Sequence, residues 1–295
     1  MDSIFFRTDM AVERRDLYKN ANKLEDEIDG IECDEENQED IKITRVRITN
    51  EKGEKALQRR IGNYITIDLK KLNNITMEQE QKIIDCFSKE LKVIIDKHIK
   101  KYDEILIVGL GNEYATPDSL GAKVVQNIEI TRHIKIYLPN AIDKNTRSVS
   151  AITPGVLGTT GIETVEIVKG IVDNIKPKLV IAIDSLCSKN IDRINKSIQI
   201  SDTGIVPGGG VGNKQEELSE ETLGIPVIGI GIPTVLDAAT IVLDTLKACS
   251  VNVSEDRIVD EMKLNNFNFI VTPKEIDSLI DSMTNIVSEG INVSL

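Results

Sequence analysis

Short apolar runs recur through the second half of this chain, and segments with helical spacing separate them. The runs at residues 104–108, 179–183 and 226–230 are rich in Ile and Val, as in strands that are buried on both faces. Helices are predicted between and after them, over residues 119–127, 161–174 and 234–248. This alternation favours parallel pairing with right-handed crossovers. We therefore predict a three-layer α/β/α fold with a mostly parallel sheet.

The rest of the chain supplies further predicted elements. Strands are predicted at residues 134–138 and 198–200, and a final helix over residues 272–288, with Pro273 in its first turn. Before the core, we predict helices over residues 10–27 and 77–99, and strands over residues 41–48 and 64–69, with a turn or hairpin at Gly53. Residues 10–72 thus form a hairpin-like N-terminal extension, and residues 73–295 form the core of a single domain.

The composition excludes several kinds of partner. The net charge of −12 opposes electrostatic attraction to nucleic acid or to anionic membranes, so we expect neither as a direct partner. Six acids lie between Glu32 and Asp40, which indicates a solvated loop or a charged edge. The four cysteines form no CxxC pattern, and neither a signal peptide nor a long apolar span is present. We expect a soluble protein of a reducing, intracellular compartment.

Acidic residues follow three of the predicted strands. Asp118 comes after residues 104–108, at the end of a turn that contains Gly109, Gly111, Asn112 and Thr116. Asp184 follows residues 179–183, and Asp202 follows residues 198–200. Ligands of open α/β sheets bind beyond the carboxyl ends of the strands. We therefore expect the three acids to converge on one edge of the sheet.

Two carboxylates in a partly dry crevice do not both ionise easily, so one stays protonated while the other acts as a base. Such a pair can activate water and protonate a leaving group, as amide hydrolysis requires. Two other interpretations stay open: Asp118 caps its helix, or Asp184 holds a loop. The glycines Gly208, Gly209 and Gly210 allow close approach to a substrate backbone, or they form a purely structural turn.

Other catalytic motifs are incomplete. The turn after Gly109 lacks the third glycine of a dinucleotide-binding fingerprint, and no Gly-Lys-Ser/Thr follows the later glycines. His98 and His133 are the only histidines, which disfavours a His-based triad or a multi-His metal site. Cys187 is interpreted as a buried structural thiol. We expect no metal and no cofactor.

The longer motifs resemble one known family, the germination proteases of bacterial spores. The similarity runs from Arg7 to about Asp237. Its motifs are Arg7-Thr-Asp-Met-Ala-Val-Glu13, Gly109-Leu-Gly-Asn112 with Thr116-Pro-Asp-Ser-Leu-Gly121, Pro154-Gly-Val156 with Thr160-Gly-Ile-Glu-Thr164, Ile183-Asp-Ser-Leu186, and Ile200-Ser-Asp-Thr-Gly-Ile205 with Pro207-Gly-Gly-Gly-Val-Gly-Asn-Lys214.

The resemblance implies an atypical aspartic-type endopeptidase with a phosphorylase/hydrolase-like fold. It implies Asp118 and Asp184 as the catalytic pair, with Asn112, Thr116, Asp202 and Gly208 to Gly210 in support. The implied substrates are small acid-soluble spore proteins, degraded in the cytoplasm of the spore core during germination. The implied enzyme is made as an inactive homotetrameric zymogen that cleaves itself.

The resemblance also gives the start of the chain a meaning. Family substrates are cut after an acid and before an apolar-Ala-x-Glu stretch, and Asp9-Met-Ala-Val-Glu13 has this form. We therefore predict self-cleavage between Asp9 and Met10, with residues 1–9 as the propeptide; the alternative is an ordinary frayed terminus. Lys214, Arg193 and Lys189 are candidates to bind the acid before the cut, although each is more simply a solvated surface charge.

Three rival functions remain. The Gly-x-Gly-Asn turn also resembles that of nickel-dependent hydrogenase maturation endopeptidases, but no histidine follows His133 to act as a late metal ligand. Peptidyl-tRNA hydrolases have a similar turn, but they are expected to carry a catalytic histidine near it and a basic face, so this rival and the previous one are disfavoured. The third rival is a non-enzymatic protein whose crevice only binds a partner.

Overall fold

The computed structural model describes residues 8–209, 215–251, 254–265 and 269–295. Within these residues, one sheet runs in the order β1-β2-β3-β7-β8-β6-β4-β5, and β9 pairs with β8 outside this path. The strands are β1 Ile31–Gln38, β2 Ile41–Ile48, β3 Gly62–Leu69, β4 Ile105–Gly109, β5 Val149–Ile152, β6 Leu179–Cys187, β7 Ser197–Ser201, β8 Val227–Asp237 and β9 Ile270–Val271.

Helices cover both faces of this sheet. In the described residues they are α1 Ala11–Asn22, α2 Glu51–Leu57, α3 Met77–His98, α4 Leu120–Gln126, α5 Arg132–Tyr137, α6 Leu157–Thr160, α7 Thr164–Ile175, α8 Glu220–Leu223, α9 Ala238–Ala248, α10 Glu255–Leu264 and α11 Ile276–Ser294. None of them combines the length and the apolar character needed to cross a lipid bilayer.

Two apolar cores separate three layers. Side chains of α3, α4 and α11 pack on one face of the sheet, where Ile181 and Ile183 of β6 belong to the same apolar core as Phe87 and Leu91 of α3. Side chains of α7 and α8 pack on the opposite face, against residues such as Val180 and Ala182. Because successive strand residues point to opposite faces, the unbroken apolar run of β6 serves both cores. The predicted three-layer α/β/α fold is confirmed.

The centre of the sheet is parallel and its flank is antiparallel. Strands β5, β4, β6 and β8 are mutually parallel, as the alternation of strands and helices predicted. Strand β7, however, pairs antiparallel with both β8 and β3, so the prediction of parallel pairing was wrong for residues 198–200. Through β7, the N-terminal strands extend the central sheet without a break.

The acidic run at residues 32–40 is an edge strand and its turn. Strand β1 pairs antiparallel with β2, which places Glu32 opposite Arg47 and Asp34 opposite Arg45. Ion pairs link both of these pairs, at 3.4 Å and 2.9 Å respectively. The charged-edge interpretation therefore describes this segment. The predicted turn at Gly53 was wrong, because this glycine lies in α2, whose first turn is capped by Asn50.

Several predicted elements differ from those in the structure. Residues 134–138 were predicted as a strand, but 134–137 belong to helix α5 and Leu138 follows it as the C-cap; strand β5 was not predicted. Strand β8 continues to Asp237, so helix α9 begins four residues later than expected, capped by the Asp237 side chain. Helix α1 ends at Asn22, and Pro273 precedes α11 rather than lying in its first turn. Helix α3 follows its prediction closely, with a capping box at Thr76 and Gln79.

Candidate active site

Close backbone packing places Asp118 after β4. A Cβ on Gly121 in α4 would lie only 2.4 Å from the Leu110 carbonyl oxygen and 2.5 Å from that of Ile183, so the helix touches β4 and β6 directly. Gly111 has φ +96° and passes over the Asp118 backbone, a conformation that favours glycine. The turn returns Asp118 to the end of β4, where its Oδ2 accepts a hydrogen bond from the Asn112 amide at 2.8 Å.

Asp118 does not cap helix α4. It ends a short 3-10 helix, Thr116–Asp118, and the N-cap residue of α4 is Ser119, which makes no side-chain capping bond. The hydrogen bond to Asn112 closes the turn in front of the aspartate instead. The capping interpretation of Asp118 is therefore wrong, and one carboxylate oxygen has no protein partner among the hydrogen bonds of the described residues.

Asp184 lies inside strand β6 and not after its end. The strand continues to Cys187, and Asp184 is only 1% exposed. Its Oδ1 accepts a hydrogen bond from the Ser185 amide at 2.8 Å, and its Oδ2 accepts one from the Gly208 amide at 3.2 Å. Asp184 does hold the glycine loop, as one interpretation proposed, and this contact also brings the loop to the carboxylate.

Asp118 and Asp184 line one cavity of about 340 Å³. Burial raises the pKa of Asp118, although the Asn112 amide opposes this effect. Burial raises the pKa of Asp184 well above its usual value; the negative charge of Asp118 raises it further, while the amides of Gly208 and Ser185 lower it. The two carboxyl groups are therefore close enough to interact, and the more buried Asp184 holds its proton more strongly.

The supporting residues divide into two groups. The Asn112 amide contacts Asp118, the Gly208 amide contacts Asp184, and Gly209 continues the same turn. Thr116 contributes its carbonyl, which accepts a hydrogen bond from the Ser119 hydroxyl at 2.9 Å, and so stabilises the turn from behind. Gly210 and Lys214 lie outside the described residues.

Asp202 does not join the other two acids. Its carboxylate accepts hydrogen bonds from the Asn63 amide at 2.7 Å and from the Asn63 side chain at 2.5 Å. The reason is the direction of β7: Ser201 pairs with Gly229, two residues before the Gly231 that pairs with Asp184. An acid after an antiparallel strand lies toward the opposite end of the parallel strands, so the expected convergence of three acids was wrong.

The segment around the predicted cut is docked against the sheet. The Asp9 amide donates to the Cys187 carbonyl at 2.9 Å, and Met10 is fully buried beside Val12 and Leu186. Gln199 of β7 holds the backbone on both sides of Met10: its Nε2 donates to the Asp9 carbonyl at 3.1 Å, and its Oε1 accepts from the Ala11 amide at 2.7 Å. The described part of this segment is therefore not a frayed terminus.

Sequence reasoning did not find Gln199. The only signal was a polar side chain between two isoleucines in a predicted strand, a pattern that solvent-facing residues share. Arg59, whose Nη2 lies 3.5 Å from Asp9 Oδ1, was also not predicted. The structure thus supplies a cation beside Asp9 that was not among the candidates from the sequence.

Glu13 lies in a polar pocket at the end of β6. Its carboxylate accepts hydrogen bonds from the hydroxyls of Thr8 and Ser188, both at 2.5 Å, and from the amides of Lys189 and Asn190. The Arg193 guanidinium forms ion pairs with this carboxylate at 3.3 Å and with the Asp68 carboxylate at 3.1 Å. The interpretation of Arg193 as a solvated surface charge is therefore wrong, since it binds Glu13 rather than the acid before the cut.

The other candidate features carry less chemistry. Burial raises the pKa of the Cys187 thiol to about 12, which agrees with a structural thiol. In the described part of the chain, no three His, Cys, Asp or Glu side chains are grouped so as to hold a metal ion. A larger groove of about 790 Å³ lies between the β1–β2 hairpin and α3, and neither Asp118 nor Asp184 lines it.

The fold and the site define a class of protein: a three-layer α/β/α protein with an interacting pair of carboxyl groups, one in the turn after β4 and one buried in the neighbouring parallel strand β6. The model of the family described as germination protease matches residues 8–253. The chain therefore belongs to the germination protease family, which makes it a peptidase of spore germination.

Similar proteins match almost the whole chain. The germination protease of Clostridium tetani (strain Massachusetts / E88) is 43% identical, over 98% of this chain and 95% of its own length. The germination protease of Caldanaerobacter subterraneus subsp. tengcongensis is 46% identical, over 98% of this chain and 94% of its own length. The germination protease of Bacillus cereus (strain AH187) is 37% identical, over 98% of this chain and 93% of its own length. These matches confirm the resemblance found in the sequence motifs.

Proposed function

We propose that this chain is a self-processing endopeptidase of the aspartic type, which cuts small acid-soluble spore proteins after acidic residues during germination. The observation that carries the proposal is the shared cavity of Asp118 and Asp184, in which both carboxyl groups have raised pKa values. Membership of the germination protease family supports the peptide substrate. The family resemblance supports a homotetrameric zymogen in the spore core.

The two aspartates have different roles in this mechanism. Asp184, which is fully buried, has the more strongly raised pKa and holds its proton longer, so the less buried Asp118 ionises first. Asp118 accepts a proton from water as the water oxygen attacks the peptide carbonyl carbon. Asp184 then donates its proton to the departing amine, which completes hydrolysis. Each role follows from the degree of burial, because burial penalises the charged form.

The processing site lies on the same molecule. Cleavage between Asp9 and Met10 removes residues 1–9 and leaves the described strands and helices intact. Support comes from the placement of this bond: Asp9 contacts Cys187, three residues beyond Asp184 on β6, and the Asp9 charge raises the pKa of Asp184.

The test follows the mass of the purified full-length chain over time. The unsubstituted protein should lose residues 1–9, whereas Asp118→Asn and Asp184→Asn should each slow this loss by at least about 100-fold. The control is Asp173→Asn, which alters an exposed carboxylate on α7 paired with Lys169. If either active-site variant processes itself at the normal rate, the dyad is refuted.

Adding a small acid-soluble spore protein to the same preparations tests the substrate. Cuts after Glu or Asp that persist in a chelator support the proposed protease. Cuts abolished by the chelator would indicate a metal-dependent endopeptidase of the hydrogenase-maturation type. Binding without any cut would indicate a non-enzymatic protein.

A further inference from the structure

We propose that Gln199 is a catalytic hydrogen-bond donor in self-cleavage: its Nε2 holds the carbonyl oxygen of Asp9 and stabilises the negative charge that develops there. This inference rests on the proposed function, because it takes Asp9–Met10 as the bond that is cut. It assigns the oxyanion contact to a side chain of β7 and not to the glycine loop after Pro207.

The register of the sheet places Gln199 in line with Asp184. Gln199 pairs with Gly231 on β8, and Gly231 pairs with Asp184 on β6. Side chains of paired residues project from the same face of a sheet, so Gln199 and Asp184 face the same side. Gly231 between them has no side chain, and Leu186 fills the place where its Cβ would lie. These three cross-strand neighbours therefore carry the Asp184 carboxyl group at one end and the Gln199 amide at the other.

The two hydrogen bonds of Gln199 lie on either side of Met10, and one of them holds the carbonyl of the Asp9–Met10 peptide. Nε2 donates to the Asp9 carbonyl at 3.1 Å, and Oε1 accepts from the Ala11 amide at 2.7 Å. Gln199 is only 9% exposed, and Met10 and Ala11 are fully buried. The donor is therefore held in place before reaction and shielded from water, the two conditions under which an amide best stabilises an oxyanion.

The glycine turn connects this peptide to the acids. The Gly208 amide contacts Asp184 Oδ2 at 3.2 Å, and a Cβ on the adjacent Gly209 would lie 3.6 Å from Asp9 Oδ1. Asp9 and Asp184 therefore flank the same two-residue turn.

The chemical step balances with the groups present and water. Asp118 removes a proton from water, and the hydroxide oxygen bonds to the Asp9 carbonyl carbon. The carbonyl π electrons move onto the Asp9 oxygen, and the Gln199 N–H donates a hydrogen bond to this negatively charged oxygen. When the intermediate collapses, the bond to the Met10 nitrogen breaks, and that nitrogen takes the Asp184 proton. The products are a new carboxyl group at residue 9 and a new amine at residue 10.

The test compares first-order self-cleavage rates of full-length chains made by cell-free translation, which defines time zero. Gln199→Met keeps the size of the side chain but removes the donor, so its rate should fall by roughly 100-fold or more. Thr44→Val is the matched control, because Thr44 is also buried and its hydroxyl has no partner in the described residues. Its rate should stay within about 3-fold of the parent rate.

A second variant separates catalysis from simple anchoring. In Gln199→Glu, the introduced carboxylate still accepts from the Ala11 amide, but it has no hydrogen for the Asp9 carbonyl until it is protonated. The ratio of its rate to the parent rate should therefore rise as the pH falls. Hydrogen exchange of residues 8–13, measured in the inactive Asp184→Asn background, should show the segment still docked in this variant.

The outcomes decide between the two proposals. A Gln199→Met rate within about 3-fold of the parent, or a pH-independent ratio for Gln199→Glu, overturns the role of Gln199. If those rates stay normal while Asp118→Asn and Asp184→Asn are inactive, the proposed function stands and only this inference fails. If the unsubstituted chain never cleaves after Asp9, both fail.

Discussion

Asp9 and Cys187 are joined by a reciprocal pair of hydrogen bonds. The Asp9 amide donates to the Cys187 carbonyl at 2.9 Å, and the Cys187 amide donates to the Asp9 carboxylate at 2.9 Å. The residues are 178 positions apart in the chain, yet this contact fixes the predicted cut beside the strand that carries Asp184. Whatever loosens the segment from β6 should therefore affect stability and processing together.

Glu13→Gln should destabilise the folded chain. The Glu13 carboxylate is 4% exposed and binds two hydroxyls, two amides and Arg193, and a neutral amide satisfies fewer of them. We expect a loss of about 1–3 kcal/mol in the free energy of unfolding, measured by urea denaturation. Glu51→Gln, at an 82% exposed site on α2, should change it by less than about 0.5 kcal/mol. Equal effects of the two substitutions would contradict the structure.

Asp184→Asn should stabilise the chain at neutral pH. Burial raises the Asp184 pKa well above 3.8, so between 3.8 and the native value the folded state binds this proton more strongly than the unfolded state. Stability therefore falls as the pH rises through that interval, and a neutral side chain removes the fall. We expect a Tm higher by roughly 2 °C or more at neutral pH, with the gain fading below pH 3.8.

This comparison is best made in the Asp118→Asn background, so that both chains keep their full length during thermal unfolding. A gain that grew on acidification would have the wrong sign and would refute the assignment of Asp184 as the protonated member.

The cleavage rate should depend on pH in a bell shape. The ascending limb should lie above 3.8, because the pKa of the base Asp118 is raised by burial. The descending limb should follow loss of the Asp184 proton, and the two limbs report the pair as a coupled unit. Initial rates on a peptide of residues 4–20 across the pH range measure both. A rate that stayed level from acid to alkaline pH would exclude acid–base catalysis by these groups.

Gly121→Ala should impair both folding and cleavage. The added Cβ would meet the backbone oxygens of Leu110 and Ile183, so α4 must move away from β4 and β6 and shift Asp118, which immediately precedes this helix. We expect a loss of at least about 2 kcal/mol by urea denaturation, with slower self-cleavage. The control is Gly170→Ala in α7, where no atom of the described residues lies within 4 Å of the new Cβ apart from its chain neighbours and the backbone of its own helix. That change should leave stability equal or improve it by roughly 0.5–1 kcal/mol, and the opposite order would refute this packing.

The core strands were predictable because a strand that is buried on both faces has an unbroken run of apolar residues. The apolar runs predicted strands β4 and β6, and the acidic residues near the ends of these runs predicted Asp118 and Asp184 as site residues. The surface segment of residues 134–138 misled the same reasoning. Its apolar residues do not alternate regularly with polar ones, and they lie partly exposed in α5 and at its end. Strand β5 has four residues with Ser and Ala among them, which leaves almost no periodic signal.

The site was less predictable, because it depends on strand direction and on contacts distant in sequence. No local pattern shows that β7 is antiparallel, and this direction alone removes Asp202 from the acids. Gln199 and Arg59 gain their roles from a segment more than 40 residues away in the chain. The pairing of strands across a sheet is a property of the whole fold, which residue spacing does not encode.

Strand β7 is interior only because β3 pairs with it on one side while β8 pairs on the other. Removing residues 10–72 would leave the backbone N–H and C=O groups that face β3 without partners and turn β7 into an open edge, a template on which other chains can aggregate. A maturation cut that released β3 would therefore expose this edge. A cut after residue 9 precedes α1 and every described strand, so the proposed maturation removes a tail and creates no new edge.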